Sequence, residues 1–407
     1  MRIGLFTDTY PPFINGVSTS VNMLKNALEK LGHEVFVVTV NTEGYEYNIK
    51  EDGKVICVPG VPIKLFDYRI SSIYPMKIVK TIKSWQLDVI HSHTEFGIGT
   101  YARIMAKKLK IPVIHTYHTM YEDYVYYITK GHFDKLSKRV VKHLTKFYCD
   151  KTAKELIVPT IKTKEFLIEK YNCNSNIHVI PTGIETERFY EENVDKTKVS
   201  KVEQDLGLKK DDFKIIFVGR LGKEKNIEFL IEAQQLLNKK DNKIKLLIVG
   251  AGPYLDILKE KAQELNVLDS IIFVGKVAWE NMPIYYQVAD VFATASRSET
   301  QGLTVIEAMA AAKIPVCIND ESFKKTVKDG KNGIIFDDLE DYCAKIKELL
   351  KNKDKPSFKV LQKQAREDSY LYSALNYAKS CLKVYDKAIE EYPIVKYRKR
   401  DKRKDSN

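Results

Sequence analysis

SRSETQGLTVIEAMAAA, residues Ser296 to Ala312, runs from a polar loop into an alanine-rich helical stretch. Glu299 lies in the loop, and Glu307 falls about one and a half turns into the predicted helix. The first N–H groups of such a helix, near Gly302, Leu303 and Thr304, have no intrahelical partner and share the positive end of the helix dipole, an arrangement that favours a bound anion. Ionised carboxylates accept hydrogen bonds only, so one on each side of that anion would grip hydroxyl groups. Acids also sit ahead of helices and on helix faces for reasons of dipole and solvation alone. The pair therefore takes its meaning from the rest of the chain.

On either side of this stretch lie short β-rich runs, Val291–Ala293 and Pro315–Ile318, and the same rhythm extends both ways. Upstream in the same half are Lys214–Val218, Lys245–Val249 and Ile271–Val274, and downstream is Ile334–Phe336. The first half has Arg2–Asp8, Glu34–Val40, Lys54–Val58, Asp88–Ser92, Pro112–Thr116, Glu155–Val158 and His178–Ile180. Helical patterns separate these runs, as in parallel sheets wound by crossover helices. The expectation is an α/β protein of two doubly wound, Rossmann-like domains, residues 1–185 and 186–370, meeting in the polar, turn-rich stretch Pro181 to Ser200. Residues 371–407 hold a last long helix, expected to pack back onto the first domain, and a basic tail.

At 407 residues and 44% hydrophobic content the chain can bury two large cores. Its formal net charge of +12 favours an anionic partner such as a phosphorylated substrate, an acidic lipid surface or nucleic acid. The cysteines, Cys57, Cys149, Cys173, Cys317, Cys343 and Cys381, form no C-x-x-C pair, which argues against zinc and dithiol chemistry and for reduced, buried thiols. No apolar run reaches the roughly 18 residues of a transmembrane helix, and MRIGLFTDTYPP has too short an apolar run for a signal peptide. The expectation is a chain that neither spans a membrane nor is exported by a recognisable signal.

Open α/β sheets bind ligands outside the carboxyl ends of their strands, so the loops there are the candidate site. TDTYPPFINGVSTS follows the first strand, and Gly16 would let backbone approach a ligand closely. HTYHTMYEDYVYYITKGH follows Pro112–Thr116 with His118, Tyr121 and Tyr124, while His91 and His93 look like packing or supporting residues. VGRLGKEKN places Arg220 and Lys225 past a strand end, where they could neutralise a diphosphate. VGAGP, with Gly250, is a strand-to-helix turn that lacks the full G-x-G-x-x-G spacing, so NAD binding is unsupported. Carboxylates around an anion site backed by two cations match hexose, diphosphate and ribose in a nucleotide sugar.

Taken together, the E-x7-E pair Glu299 and Glu307, the GRL-x-x-EKN loop, NGV-x-TS, VGAGP and the strand-end His118 resemble the retaining glycosyltransferases of B-type (GT-B) fold that share the E-x7-E motif. The likeness covers nearly the whole chain in order, and TDTYPPFINGV, HTMYEDYVYYI and SETQGLTVIEAMA look most like the bacterial diacylglycerol glucosyltransferases. The resemblance implies two Rossmann-like domains around a donor cleft, with the last helix crossing back. It gives Arg220 and Lys225 to the donor diphosphate, Glu299 to the transferred hexose, Glu307 to the ribose, and His118 to the sugar near the reacting carbon. Gly16, Gly250, Gly302, Leu303 and Thr304 fall on the donor side. Asp8, Tyr121 and Tyr124 are candidates for the acceptor. The implied reaction moves glucose from UDP-glucose to 1,2-diacylglycerol without a metal. Phosphatidylinositol or a soluble sugar as acceptor, and a catalytically silent scaffold, stay open.

An enzyme acting on diacylglycerol must reach a bilayer, and HFDKLSKRVVKHLTKFYCDKTAK offers a segment for that. Phe133 and other apolar residues recur at helical spacing, with Lys135, Lys138, Arg139, Lys142 and Lys146 on the basic side. Lys396 to Lys404 adds seven basic residues against one acid. The expected location is peripheral, at the cytoplasmic face of the cell membrane. No nucleic-acid-binding module accompanies these charges, so nucleic acid is not an expected partner.

Overall fold

Apolar runs such as RIGLF and EVFVVTV bury nearly every residue, as parallel strands covered by helices on both faces must. In the computed structural model, which describes residues 1–13, 15–42, 44–62, 69–118, 145–238, 243–299 and 301–392, they form β1 (Arg2–Phe6) and β2 (Glu34–Val40). The first half continues with β3 (Asn48–Lys50), β4 (Val55–Val58), β5 (Gly60–Pro62), β6 (Arg69–Ser71), β7 (Val89–Ser92), β8 (Val113–Thr116), β9 (Glu155–Val158) and β10 (Asn176–Val179). Eight of them make one sheet in the order β10-β9-β8-β7-β1-β2-β4-β3, parallel except for β3 at its edge. The expected strands are all present. The short β3 and the β5–β6 hairpin were not anticipated, because three-residue strands leave no period to read.

The second half forms a wholly parallel sheet of β11 (Phe213–Val218), β12 (Ile244–Val249), β13 (Ile271–Gly275), β14 (Val291–Thr294), β15 (Ile314–Ile318) and β16 (Ile334–Phe336). Its order is β13-β12-β11-β14-β15-β16. Strand order reverses between β1 and β7 in the first sheet and between β11 and β14 in the second. Those reversals are the switch points where open sheets form a crevice. The loops carrying Asp8, His93, Arg220 and Glu299 all leave these four strands.

The two-domain Rossmann-like architecture expected from the sequence is therefore present, and so is the returning helix. Tyr377, Cys381, Val384 and Tyr385 of the helix Ala374–Glu391 are buried in the same core as Val21, Leu24 and Leu28 of the helix Gly16–Lys30. Each such buried side chain contributes about 1.5–3 kcal/mol, so the helix is integral to the first domain's core. The chain crosses between domains twice, side by side: Ile184 N donates to Tyr372 O at 3.0 Å and Ala374 N to Ile184 O at 2.8 Å. Gly183 permits this approach, since a Cβ there would lie 2.7 Å from Ser373 O.

All six cysteines are buried, as expected, and no disulfide joins them. Among the described residues no helix is long and apolar enough to cross a membrane. Tyr121, Tyr124, Phe133, Lys135, Lys138, Arg139, Lys142 and the tail Lys396 to Lys404 lie outside the described residues. Lys146 is described and half-buried, beside an exposed Phe147.

Candidate functional site

Glu299 and Lys225, separate in the sequence reading, are joined. Lys225 ends the short turn Lys223–Lys225 that follows β11, and Asn226 closes that turn in the left-handed region at φ 50°. Ser298 Oγ donates to Glu224 O at 3.2 Å, tying this turn to the loop after β14. Lys225 Nζ then reaches Glu299 Oε1 at 2.5 Å. Burial pushes the Glu299 carboxyl up, but the charge and hydrogen bond of Lys225, with Ser296 and Lys162, outweigh it and hold the group below its ordinary range. Glu299 is ionised. Arg220 pairs likewise with Glu224 at 2.5 Å, a carboxylate the sequence reading passed over.

Glu307 lies in the helix Leu303–Ala310, whose N-cap is Gly302 at φ +76°. A Cβ on Gly302 would come within 2.7 Å of the Phe323 ring, so both backbone angle and space require glycine. No side chain among the described residues caps this helix, and Leu303 and Thr304 are partly exposed at its first turn. Tyr286 Oη donates to Glu307 Oε2 at 2.8 Å. Burial pushes the Glu307 carboxyl up to about 7, against the lowering effect of that bond. The E-x7-E pair thus consists of one carboxylate held ionised by a cation and one that titrates near neutrality.

The loop between them is fastened from the first domain. The Gln301 side chain accepts from Thr182 N at 2.6 Å and donates to Thr182 O at 2.9 Å, gripping the inter-domain crossing with both ends of its amide. Lys162, at the start of the helix Ile161–Tyr171, donates to Arg297 O at 3.1 Å, Asp320 Oδ1 at 2.9 Å and Ser322 Oγ at 3.2 Å. Ser322 Oγ in turn donates to Glu299 O at 2.7 Å. Sequence reasoning missed Lys162, Tyr286 and Gln301, although Gln301 stands inside the stretch that opened it.

In the first domain His118 follows β8 and its Nε2 lies 3.1 Å from Nδ1 of His93, which follows β7. Burial pulls the His118 imidazole down to about 3, so it is neutral. His91 sits deeper, between Tyr385 Oη at 2.7 Å and Thr116 Oγ1 at 2.6 Å. Gly16, exposed at the start of its helix, has open space where a Cβ would be. Asn15 caps that helix by accepting from Ser18 N. Asp8 is buried with both carboxylate oxygens engaged, accepting from Thr94 Oγ1 at 2.5 Å and Ile98 N at 3.0 Å, so it pins the start of the helix Gly97–Leu109. Gly250, at φ +146°, owes its identity to backbone: a Cβ there would lie 1.8 Å from Gly219 O, where two strand-end loops touch.

The family described as "Glycosyltransferase Family 4" matches residues 14–188, and that described as "Glycosyl transferases group 1" matches residues 199–368. The alpha-monoglucosyldiacylglycerol synthase of Streptococcus pneumoniae is 38% identical over 351 residues, which is 86% of this chain and 78% of that protein. The Acholeplasma laidlawii protein of the same name is 36% identical over 397 residues, covering 95% of this chain and 96% of its own. Anabaena HepE in complex with UDP and glucose superposes with a TM-score of 0.71 at 16% identity, over 95% of this chain and 99% of that one. Sucrose-phosphate synthase from Thermosynechococcus elongatus gives 0.72 at 21% identity, over 95% and 99%. These two likenesses concern the fold. The chain belongs to the glycosyltransferases of GT-B fold, with a Family 4 half followed by a group 1 half, and stands close to the bacterial alpha-monoglucosyldiacylglycerol synthases.

Proposed function

We propose that this enzyme transfers glucose from UDP-glucose to 1,2-diacylglycerol at an anionic membrane surface, with retention at the anomeric carbon. Residues 186–370 would bind the donor, and residues 1–185 the acceptor and the membrane. The observation that carries the donor half is a pair of carboxylates, Glu299 partly buried and held ionised and Glu307 buried and titrating near neutrality, about a helix N-terminus that no side chain among the described residues caps. The ionised Glu299 suits the hydroxyls of the hexose, and Glu307 those of the ribose. The N–H groups of Leu303 and Thr304, with Arg220 and Lys225, face the diphosphate between them and take up the negative charge that grows as it leaves.

In the proposed reaction the bond between the anomeric carbon and the β-phosphate oxygen breaks as the free diacylglycerol hydroxyl forms its bond on the same face. The hydroxyl proton passes to the departing phosphate oxygen, leaving UDP and the glucolipid. Lys225 and Arg220, each held by a carboxylate, supply fixed positive charge, and we propose that transfer needs no added metal. The acceptor rests on the two synthases that share 36–38% identity with this chain.

A membrane face is supported by side chains the sequence reading did not select. Tyr45, Ile49, Val61, Ile70, Ile73 and Met76 are all exposed within one stretch of the first domain. Val61 and Ile70 are register partners in the β5–β6 hairpin. The Arg69 guanidinium lies 4.8 Å from the Tyr45 ring centre and the Lys77 ammonium 5.3 Å from that of Tyr47. Exposed apolar and aromatic groups mixed with cations suit the headgroup layer of an anionic bilayer.

The test is to incubate the full chain with UDP-glucose and anionic vesicles containing diacylglycerol, then identify the lipid product by mass spectrometry and its anomer by NMR. An α-glucosyl lipid is expected without added metal and with a chelator present. Failure to form a glycolipid from any common nucleotide hexose would refute the proposal.

A further inference from the structure

His91, His93 and His118 converge at the carboxyl ends of β7 and β8, and of the three only His118 is assigned a part in the proposed reaction, at the donor sugar near the reacting carbon, the place the resemblance gives it. His93 is 1% exposed. Its ring centre lies 4.0 Å from that of His91, the two rings tilted at 39°, and 5.4 Å from that of His118, whose ring is within 27° of parallel to its own. Burial, with neighbouring imidazoles adding to it, holds all three rings below the ordinary histidine value, so none carries charge near neutrality.

Two neutral imidazoles that meet through single nitrogens share one hydrogen, so one ring donates and the other accepts. The contact is His93 Nδ1 to His118 Nε2 at 3.1 Å. The other end of His93 decides the direction. His93 Nε2 is buried and has no hydrogen-bond partner among the described residues. Were the proton on that atom, a buried N–H would be orphaned, which is the rarer and more costly fault; a lone pair there is tolerated more readily. The proton of His93 therefore belongs on Nδ1, where it points at His118 Nε2. His118 must then accept on Nε2 and carry its own proton on Nδ1.

We propose that His93 is a positioning residue that fixes His118 as the Nδ1–H tautomer, so that His118 offers the donor sugar a hydrogen-bond donor in a set direction. The assignment rests on the proposed role of His118 at the sugar. Stacked behind His93, His91 is held at both ring nitrogens by Tyr385 and Thr116, which keeps the platform under His93 from rotating.

The test uses the full chain with 15N-labelled histidine side chains and reads long-range 1H–15N correlations, the His118 signals being assigned by their loss in His118→Asn. Nδ1 of His118 is expected to be protonated and Nε2 bare; a proton on His118 Nε2 overturns the proposal. A second arm compares His93→Asn, whose amide nitrogen stands where Nδ1 stood, with His93→Leu, which has no donor. His93→Asn should keep wild-type turnover within a few-fold, while His93→Leu should lower kcat by on the order of tenfold with little change in KM. Equal losses in both variants, or none in His93→Leu, would count against His93. His118→Ala separates the underlying reading: wild-type turnover there removes His118 from the sugar, whereas the tautomer is read by NMR regardless.

Discussion

Glu307 allows the donor site to be tested by pH alone. Its carboxyl, pushed up to about 7 by burial from an ordinary 4.5, is protonated in the empty enzyme below neutrality. The difference of roughly 2.5 pH units corresponds to about 3 kcal/mol favouring the protonated folded form. Because the folded value is the higher one, this stabilisation is complete below about pH 4.5 and is lost as pH rises through about 7. Ribose hydroxyls, by contrast, donate to an ionised carboxylate, so donor binding must first remove the proton. UDP-glucose is a suitable probe, since both of its phosphates are diesters that do not titrate near neutrality. Its Kd, measured calorimetrically, should be about 30-fold weaker at pH 5.5 than at pH 8, following one proton and flattening above 7. At pH 6 binding should release close to one proton, visible as a dependence of the heat on buffer ionisation enthalpy. Glu307→Gln should bind with a flat profile, and Tyr286→Phe should move the midpoint upward because the phenol's hydrogen bond lowers the carboxyl. A flat wild-type profile, or a slope that survives in Glu307→Gln, would refute the assignment of Glu307 to the ribose.

Other perturbations probe other parts of the cleft. Lys225→Met removes the cation that keeps Glu299 ionised, and steady-state kinetics should show kcat falling by about 100-fold or more, the scale of losing a fixed charge at a developing anion. Gln301→Ala strands the Thr182 N–H and C=O, and calorimetric unfolding should show a loss of about 2 kcal/mol. Gly16→Ala should fold normally, with donor affinity reduced if backbone there approaches the phosphates; Gly250→Ala should fail to give soluble protein, since its Cβ would meet Gly219 O at 1.8 Å. Replacing Val61, Ile73 and Met76 together by Ser should reduce co-sedimentation with anionic vesicles while leaving UDP-glucose binding unchanged.

The sheets were legible because buried parallel strands announce themselves as short, continuous apolar runs, and each run expected from the sequence is a strand. The site was legible as a set of strand-end loops, since fold class dictates where ligands go. Side-chain partnerships were not. Lys225 and Glu299 stand 74 positions apart, and nothing local links them. The bond from Tyr286 to Glu307 and the contact of His93 with His118 likewise depend on which strands become neighbours. The structural roles of Asp8 and Gly250 were hidden for a related reason: an acid or a glycine at a strand end looks the same in sequence whether a ligand or another loop approaches it. The apolar surface around β5 and β6 escaped notice because its residues are scattered over segments without a regular period.

The helix Ala374–Glu391 has a consequence for how the protein is made. The first domain's sheet is complete once Val179 is synthesised, but one side of its core still lacks Tyr377, Cys381, Val384 and Tyr385. Domains emerging from a ribosome usually fold in order, N-terminal first. Here the earlier domain must wait, with the apolar face of the helix Gly16–Lys30 uncovered, until the later one has been translated in full. The second domain, whose core draws nothing from that helix, can close first.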